Sequence, residues 1–423
     1  MEWQVWITAI IFLIVYGFIM SESIHRTVIA LVGAVILVLI GILNQEEAVR
    51  FIDYNTIGLL LGMMVIVNIA RKSGIFEFLA IKATNRTGGD PLKIMIALAT
   101  VTAITSALLD NVTTVLLIVP ITFSICRQLE ITPLPFLLTQ IMASNIGGTA
   151  TLIGDPPNIM IGSAAGLGFM DFIFNLTPAI IAIFVVTIFI FKLIYGKKLY
   201  ATEENKALIR SMNPDDAIKD QVLLKKSLWV LFIVIAGFAL HQALGLESAT
   251  IAMSGAALLM LITGEDPEEC LGSVEWGTLF FFIGLFILVG GLEKVGIIKL
   301  LATSAVDLTH GSLTAASMLI LWFSAIASAF IDNIPFVATF IPLIKDMGQI
   351  GGMDISSLWW ALSLGACLGG NGTLIGASAN VVVSGIAARE GSPLTFIGYM
   401  KIAFPLMLVS IVISMIYLLV FYL

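Results

Sequence analysis

One polar motif is written twice in this chain, 222 positions apart, inside segments that are otherwise apolar. The first copy reads Ser106-Ala107-Leu108-Leu109-Asp110-Asn111, continues as Gly147-Gly148-Thr149-Ala150-Thr151-Leu152-Ile153-Gly154, and closes on Asn158. The second reads Ser328-Ala329-Phe330-Ile331-Asp332-Asn333, then Gly369-Gly370-Asn371-Gly372-Thr373-Leu374-Ile375-Gly376, and closes on Asn380. The register also holds upstream, at Thr56/Thr278, Gly62/Gly284, Gly74/Gly296 and Pro120/Pro342. No gap is needed over roughly a hundred residues, the length of a structural repeat rather than of a short motif. A duplicated, glycine-rich polar motif within apolar segments is how repeat-built transporters write their binding site.

The apolar setting is that of a membrane. The 423 residues are 59% hydrophobic and only 12% charged. Apolar runs of about 16 to 22 residues recur, and about 20 are needed to cross a bilayer as a helix. Within lipid the backbone must satisfy its own hydrogen bonds, so these runs are helical; the alternating pattern of a membrane barrel is absent. We therefore expect spanning helices near residues 4–20, 26–43, 55–71, 133–165, 172–195, 227–243, 247–263, 276–292, 355–388 and 396–422. Those near 133–165 and 355–388 contain the glycine motif and should be broken. Two further segments, about 92–126 and 312–345, are too long for one span and too short for two. Each carries its Asp-Asn pair near the middle and reads as a re-entrant hairpin. Residues 75–90 and 297–311 read as amphipathic connectors on the membrane surface. The N-terminal run has Glu2 and no basic residue before Arg26, which argues for a true span rather than a cleaved signal.

The organisation follows: a first repeat at 1–195, a soluble linker at 196–226 rich in Lys and Glu, and a second repeat at 227–423. With the linker cytoplasmic, 17 of the 21 basic residues lie inside and only Arg50, Lys294, Lys299 and Lys345 lie outside. Both termini are then external. Five crossings per repeat, an odd number, make the two repeats inverted in topology. The expected fold is an all-α polytopic membrane protein of the cell membrane, with two inverted-topology repeats, one hairpin in each, and discontinuous helices at the site.

The chemistry is concentrated in the motif. An Asp at the centre of a membrane helix costs about 2.5–3.5 kcal/mol on insertion scales, so Asp110 and Asp332 need a compensating role. At hairpin tips, Asp110-Asn111 and Asp332-Asn333 could present oxygens to a proton or cation; alternatively they only cap broken helix ends. Thr113 and Thr114 follow the first tip. Gly147, Gly148, Gly154, Gly369, Gly370, Gly372 and Gly376 mark the breaks, with Thr149, Thr151, Asn371 and Thr373 as polar groups there and Asn158 and Asn380 on the next half-helix. Close helix packing is the alternative use of the glycines, and the natural one for Gly62 and Gly284. The copies differ at Asp155-Pro156-Pro157, which becomes Ala377-Ser378-Ala379, and at Asn145, which becomes Cys367. Asp155 is either a proton or sodium carrier or an ordinary helix-start residue. Cys126, Cys270 and Cys367 make no metal or disulfide spacing. His25, His241 and His310 fall at helix ends or loops and read as surface residues, while Trp3, Trp6, the Trp359-Trp360 pair and Tyr417, Phe421 and Tyr422 read as interfacial anchors. No phosphate-binding Gly-Lys loop is present, so no nucleotide drives this chain by itself, although a separate ATPase subunit is compatible with it. Nothing points to an enzyme, a resident cofactor or a nucleic-acid partner; the expected partners are the bilayer and a small solute.

At these motifs the chain resembles the ion transporter superfamily. Leu109-Asp110-Asn111-Val112-Thr113-Thr114 resembles the arsenite permease branch, a branch that also contains sodium/proton antiporters, and Val274-Glu275-Trp276-Gly277-Thr278-Leu279-Phe280-Phe281-Phe282 resembles the pigment-associated P protein of the same group. Dicarboxylate members of the superfamily carry Ser-Asn-Thr at both tips, where this chain has Asp110-Asn111-Val112 and Asp332-Asn333-Ile334. Two aspartates would repel a dianion in low dielectric unless a cation sat between them. The resemblance thus implies arsenite or antimonite efflux coupled to proton antiport, with a sodium/proton antiporter as the alternative and a carboxylate/sodium symporter behind both. It also implies that hairpins and broken helices move against a scaffold of the remaining helices, and that the protein is a homodimer, as members of the superfamily often are. An intramembrane aspartyl protease and a passive channel use parts of the same vocabulary, but the protease phrase Gly-x-Gly-Asp is missing at Gly154-Asp155.

Overall fold

Helix starts in this chain are mostly written in short polar side chains. Asn44, Asp53, Asp90, Asp110, Thr202, Asp220, Asp266, Ser312, Asp332 and Thr395 each accept a hydrogen bond from a backbone N–H of the turn they begin. The computed structural model describes residues 2–21 and 23–423. Its first half runs α1 (Glu2–Ser21), α2 (Arg26–Leu39), α3 (Gln45–Arg50), α4 (Tyr54–Lys72), α5 (Ile75–Asn85), α6 (Pro91–Leu108), α7 (Asn111–Leu129), α8 (Leu134–Thr149), α9 (Pro156–Ala165) and α10 (Phe169–Tyr195). The linker holds α11 (Glu203–Ser211) and a 3-10 turn at Pro214–Ala217. The second half runs α12 (Gln221–Leu244), α13 (Ser248–Thr263), α14 (Pro267–Gly272), α15 (Trp276–Lys294), α16 (Ile297–Leu308), α17 (Leu313–Phe330), α18 (Asn333–Gly351), α19 (Ser356–Gly369), α20 (Ser378–Arg389) and α21 (Phe396–Phe421).

No strand occurs among the described residues, and nine helices there are long and apolar enough to cross a membrane. The architecture is that of a polytopic, all-helical membrane protein. The register of the motif extends well beyond it: α3, α4, α6 and α7 correspond end for end with α14, α15, α17 and α18 at the same offset of 222. The short helices α3 and α14 are not expected from sequence, since six residues give no periodicity to read.

Packing between the halves repeats the register. A Cβ on Gly62 of α4 would meet Ala252 of α13 at 2.5 Å, and one on Gly284 of α15 would meet Ala30 of α2 at 2.7 Å. Gly284 lies 222 after Gly62, and Ala252 lies 222 after Ala30. One contact is thus made twice, each time between a helix of one half and a helix of the other. In lipid no hydrophobic drive pulls helices together, so close backbone approach at small residues does.

The linker is docked rather than loose. The Asn85 amide donates to the Met212 carbonyl at 2.5 Å, and the Lys219 N–H donates to the Ser73 carbonyl at 2.9 Å. Gly74 turns in the left-handed region (φ +84°), and a side chain there would strike the Ala217 carbonyl. Its counterpart Gly296 makes the same turn (φ +85°) with nothing against it. The aromatic expectations divide: Trp3, Trp6 and Phe421 are exposed, but Trp359 and Trp360 are buried, and Trp360 packs edge-on against Phe172 at 5.4 Å. Inward packing of α19 against α10 and α17 overrides the interfacial role expected of that pair. His25 and His310 are exposed, whereas the Nε2 of His241 is buried against Gly168.

Candidate functional site

The two hairpins and two broken helices meet at the middle of the molecule. Each hairpin is fastened to its broken helix by the same pair of hydroxyls. Ser106 Oγ donates to the Ser144 carbonyl and Ser328 Oγ to the Ala366 carbonyl, both at 2.6 Å. Thr151 Oγ1 donates to the Ala107 carbonyl at 2.5 Å, and Thr373 Oγ1 makes the equivalent bond to Ala329. These threonines hold structure and do not face an open site. Thr149 likewise donates back to the Asn145 carbonyl within α8 (2.7 Å).

The glycines act mainly through close approach. Gly147 and Gly148 still lie in α8, and unwinding covers residues 150–155, followed in the second half by 370–377. A Cβ on Gly147 would sit 2.1 Å from the Ala103 carbonyl oxygen, and one on Gly369 would sit 2.5 Å from that of Ala325. Gly148 and Gly154 touch across the first break, as Gly370 and Gly376 do across the second, and Gly372 leaves room for Ala329. None of the seven has a positive φ. Gly154, Gly370, Gly372 and Gly376 lie in the unwound stretches, and the glycines also let the hairpin backbone press against the break.

Asparagines close the breaks. The Asn158 amide donates to the carbonyls of Thr149 (3.0 Å) and Thr151 (2.9 Å), and the Asn380 amide donates to those of Gly370 (2.7 Å) and Thr373 (2.9 Å). Both occupy backbone acceptors that unwinding exposes. Between them, Asn145 donates to the side-chain oxygens of Asn371 (3.0 Å) and Asn380 (2.9 Å) and accepts from Asn111 (3.2 Å). This buried amide cluster joins the halves. The Nδ2 of Asn371 and the hydroxyl of Thr114 are buried there with no protein partner. Cys367 lies 3.6 Å from the Asn158 side-chain oxygen, which also accepts from Ser363 at 2.6 Å, so the thiol sits in the cluster as a neighbour of Asn158.

The carboxylates are not equivalent. Asp110 caps α7 by accepting from the Thr113 N–H at 2.7 Å, and Asp332 caps α18 by accepting from the Ile334 N–H at 3.0 Å. Asp155 stands in the capping position of α9 but makes no cap bond. It is 1% exposed, and its oxygens accept instead from the Asn333 amide of the opposite hairpin at 3.3 and 3.4 Å. The reading of Asp155 as an ordinary helix-start residue therefore fails. Arg26, at the start of α2, is absent from any motif and sequence reasoning counts it only as a topology charge. The fold brings its Nη1 to donate to Asp332 at 3.1 Å and to Ser378 at 2.7 Å, with Ser378 itself donating to Asp332 at 3.0 Å. A cavity of about 180 Å³ runs along this cluster, lined by Asp110, Asn111, Asp155, Asn333, Glu275 and Arg26 among apolar side chains of α4. Glu275 at the start of α15 was likewise invisible as a site residue. Among the described residues no group of three or more His, Cys, Asp or Glu is placed to hold a metal ion.

A duplicated, broken-helix site between two hairpins in an all-helical membrane fold defines a membrane transporter. The chain belongs to the citrate transporter family (CitMHS), whose profile matches residues 16–365. It is 44% identical over 414 residues to an uncharacterized transporter of Mycobacterium tuberculosis, covering 96% of each chain. It is 42% identical over 416 residues to a 46 kDa membrane protein of Mycobacterium leprae, again covering 96% of each. Human P protein is 34% identical over 503 residues, spanning 99% of this chain and 60% of P protein. The fold is similar to that of the YdaH transporter of Alcanivorax borkumensis, with TM-score 0.58 at 16% identity over 91% of this chain and 87% of that one. The likeness to P protein read in Val274–Phe282 is borne out.

Proposed function

We propose that this chain is a secondary active transporter that expels a small inorganic solute, arsenite or antimonite, from the cytoplasm in exchange for protons. The observation that carries the reading is Asp155: a fully buried carboxylate at a helix break, spent on no cap, facing Asn333 across the halves and sharing a cavity with Asp110 and Glu275. A buried carboxylate free of local structural work and bordering a cavity within the membrane is what a coupling proton or cation requires. On this reading Asp110, Asp155 and Asp332 handle the coupling ion, and the amide cluster of Asn111, Asn145 and Asn371 with Thr114 offers neutral donors and acceptors to a hydroxylated solute. The linker is cytoplasmic and both termini are external.

Citrate, named by the family description, is a poorer fit as a free trianion. The cavity carries three carboxylates beside Arg26, and that guanidinium is already engaged. The second reading is sodium/proton antiport at the same carboxylates, with Asp110, Asp155 and Glu275 lining one cavity. An aspartyl protease would need two carboxylates sharing a proton, whereas the partner of Asp155 is an amide. The deciding experiment uses everted vesicles with an imposed pH gradient and follows arsenite uptake, Na⁺-dependent proton movement and citrate uptake side by side. Arsenite uptake that ignores the gradient would sink proton antiport, and a Na⁺-dependent proton signal without arsenite uptake would move the protein to the second reading.

A further inference from the structure

We propose that Arg26 is a resident counter-cation for the second hairpin, so that the exchanging proton or cation is confined to Asp110 and Asp155 in the first half. This deepens the reading above, which gives all three aspartates to the coupling ion, and rests on it.

The duplicated site is neutralised differently in its two halves. In the second half, Asp332 receives Nη1 of Arg26 at 3.1 Å, and Ser378 ties the same two groups together at 2.7 and 3.0 Å. The guanidinium is also held from behind, 5.0 Å above the buried Phe281 ring. Arg26 and Asp332 are partly covered, at 29% and 15% exposure, and with Ser378 they line an open cavity of about 340 Å³. At the register of 222, the residue that would stand to the first hairpin as Arg26 stands to the second is Ser248 of the second half, which carries no charge, and the one matching Ser378 is Pro156. There the second half's Ala377 is replaced by Asp155. One half therefore pairs its hairpin aspartate with an arginine, whereas the other has no such cation and places two aspartates, Asp110 and Asp155, along one cavity. Among the ion pairs formed by described residues, Arg26–Asp332 is the one that reaches a hairpin tip. An arginine that is always charged fills the place a bound cation would take at Asp332, and leaves the first half as the one whose charge must come from outside.

The test is a charge-pair cycle on the purified full chain. Proton uptake on moving from mildly alkaline to mildly acidic pH is measured for wild type, Asp332→Asn, Arg26→Gln/Asp332→Asn, Asp110→Asn and Asp155→Asn. Gradient-driven arsenite and Na⁺ exchange follow in proteoliposomes. The double variant should take up as many protons as wild type, whereas Asp332→Asn alone, which strands Arg26, should lose exchange by about tenfold or more. Asp110→Asn and Asp155→Asn should each take up fewer protons, and Arg26→Gln should not rescue either. A double variant that folds but takes up fewer protons than wild type overturns the proposal, because Asp332 would then bind the proton itself. Should the double variant not fold, Arg26→Lys/Asp332→Glu keeps both charges and must retain wild-type proton uptake; a deficit there also overturns it. Wild-type protein that moves neither solute defeats the transport reading, and the proton count still decides the role of Arg26.

Discussion

Asp110, Asp332 and Asp155 show how much a single residue type can differ in what it is used for. The first two satisfy backbone N–H groups at hairpin tips, so part of their cost in the membrane is offset locally. Asp155 has no such use and is held by the Asn333 amide, with the Cys367 thiol beside it. Replacement of Asp155 by Asn should leave insertion and fold intact while lowering gradient-driven exchange by about tenfold or more, which is about 1.4 kcal/mol of coupling. Flux in vesicles at matched protein levels checks this, and unchanged flux would remove Asp155 from the mechanism. Asn333→Ala should be more harmful to stability than its size suggests, by about 1–3 kcal/mol, because it strands a buried carboxylate; the thermal midpoint in detergent reads it. Arg26 was unreadable as a site residue for a simple reason: its partner lies 306 positions away and no motif surrounds it. Asp155 was readable as an asymmetry between copies, but only the geometry separates a capping aspartate from a free one.

At the scale of elements, the hairpins depend on backbone contact with the broken helices. Gly147→Val would drive a side chain into the Ala103 carbonyl, 2.1 Å from where its Cβ would begin. Overpacking of this kind costs about 1–3 kcal/mol or more, and the yield of folded protein after detergent extraction should fall accordingly. Gly17→Ala, where nothing lies within 4 Å, is the control and should leave the yield unchanged or raise it. The elements themselves were largely legible. The segments near 92–126 and 312–345 hold the helix pairs α6–α7 and α17–α18, of which α6, α7 and α17 are each long and apolar enough to cross a membrane, and the helix interruptions lie at 150–155 and 370–377. The role of the glycines was not legible, because a glycine that permits close approach and one that unwinds a helix are written identically. The hydroxyls of Thr151 and Thr373, read from sequence as polar groups at the breaks, are spent on the hairpins.

At the scale of the whole molecule, the linker and the charge balance carry the testable statements. Glu203 at the start of α11 is held below the usual carboxylate range, first by Lys206 and then by Arg210. A lowered value means that this contribution to linker order is present at neutral pH and fades as pH falls through the depressed value. Trypsin cleavage after Lys206 and Arg210 should therefore quicken on acidification, once corrected for the enzyme's own pH dependence, and Glu203→Gln should show the faster rate already at neutral pH. For orientation, single cysteines placed in the linker and at the C-terminal end of α21 should be labelled from opposite sides of a sealed vesicle by an impermeant maleimide; labelling from one side would refute the expected arrangement. Sequence alone determined that the chain is helical and membrane-spanning, that it is built on a duplication, and where the polar breaks fall, because hydropathy, helix-breaking residues and register are properties of residues near one another in the chain. Tertiary structure alone decided which aspartate is paired, which is free, and that Arg26 belongs to the site, because charge pairing in a low-dielectric interior depends on distances between residues that the chain order keeps far apart.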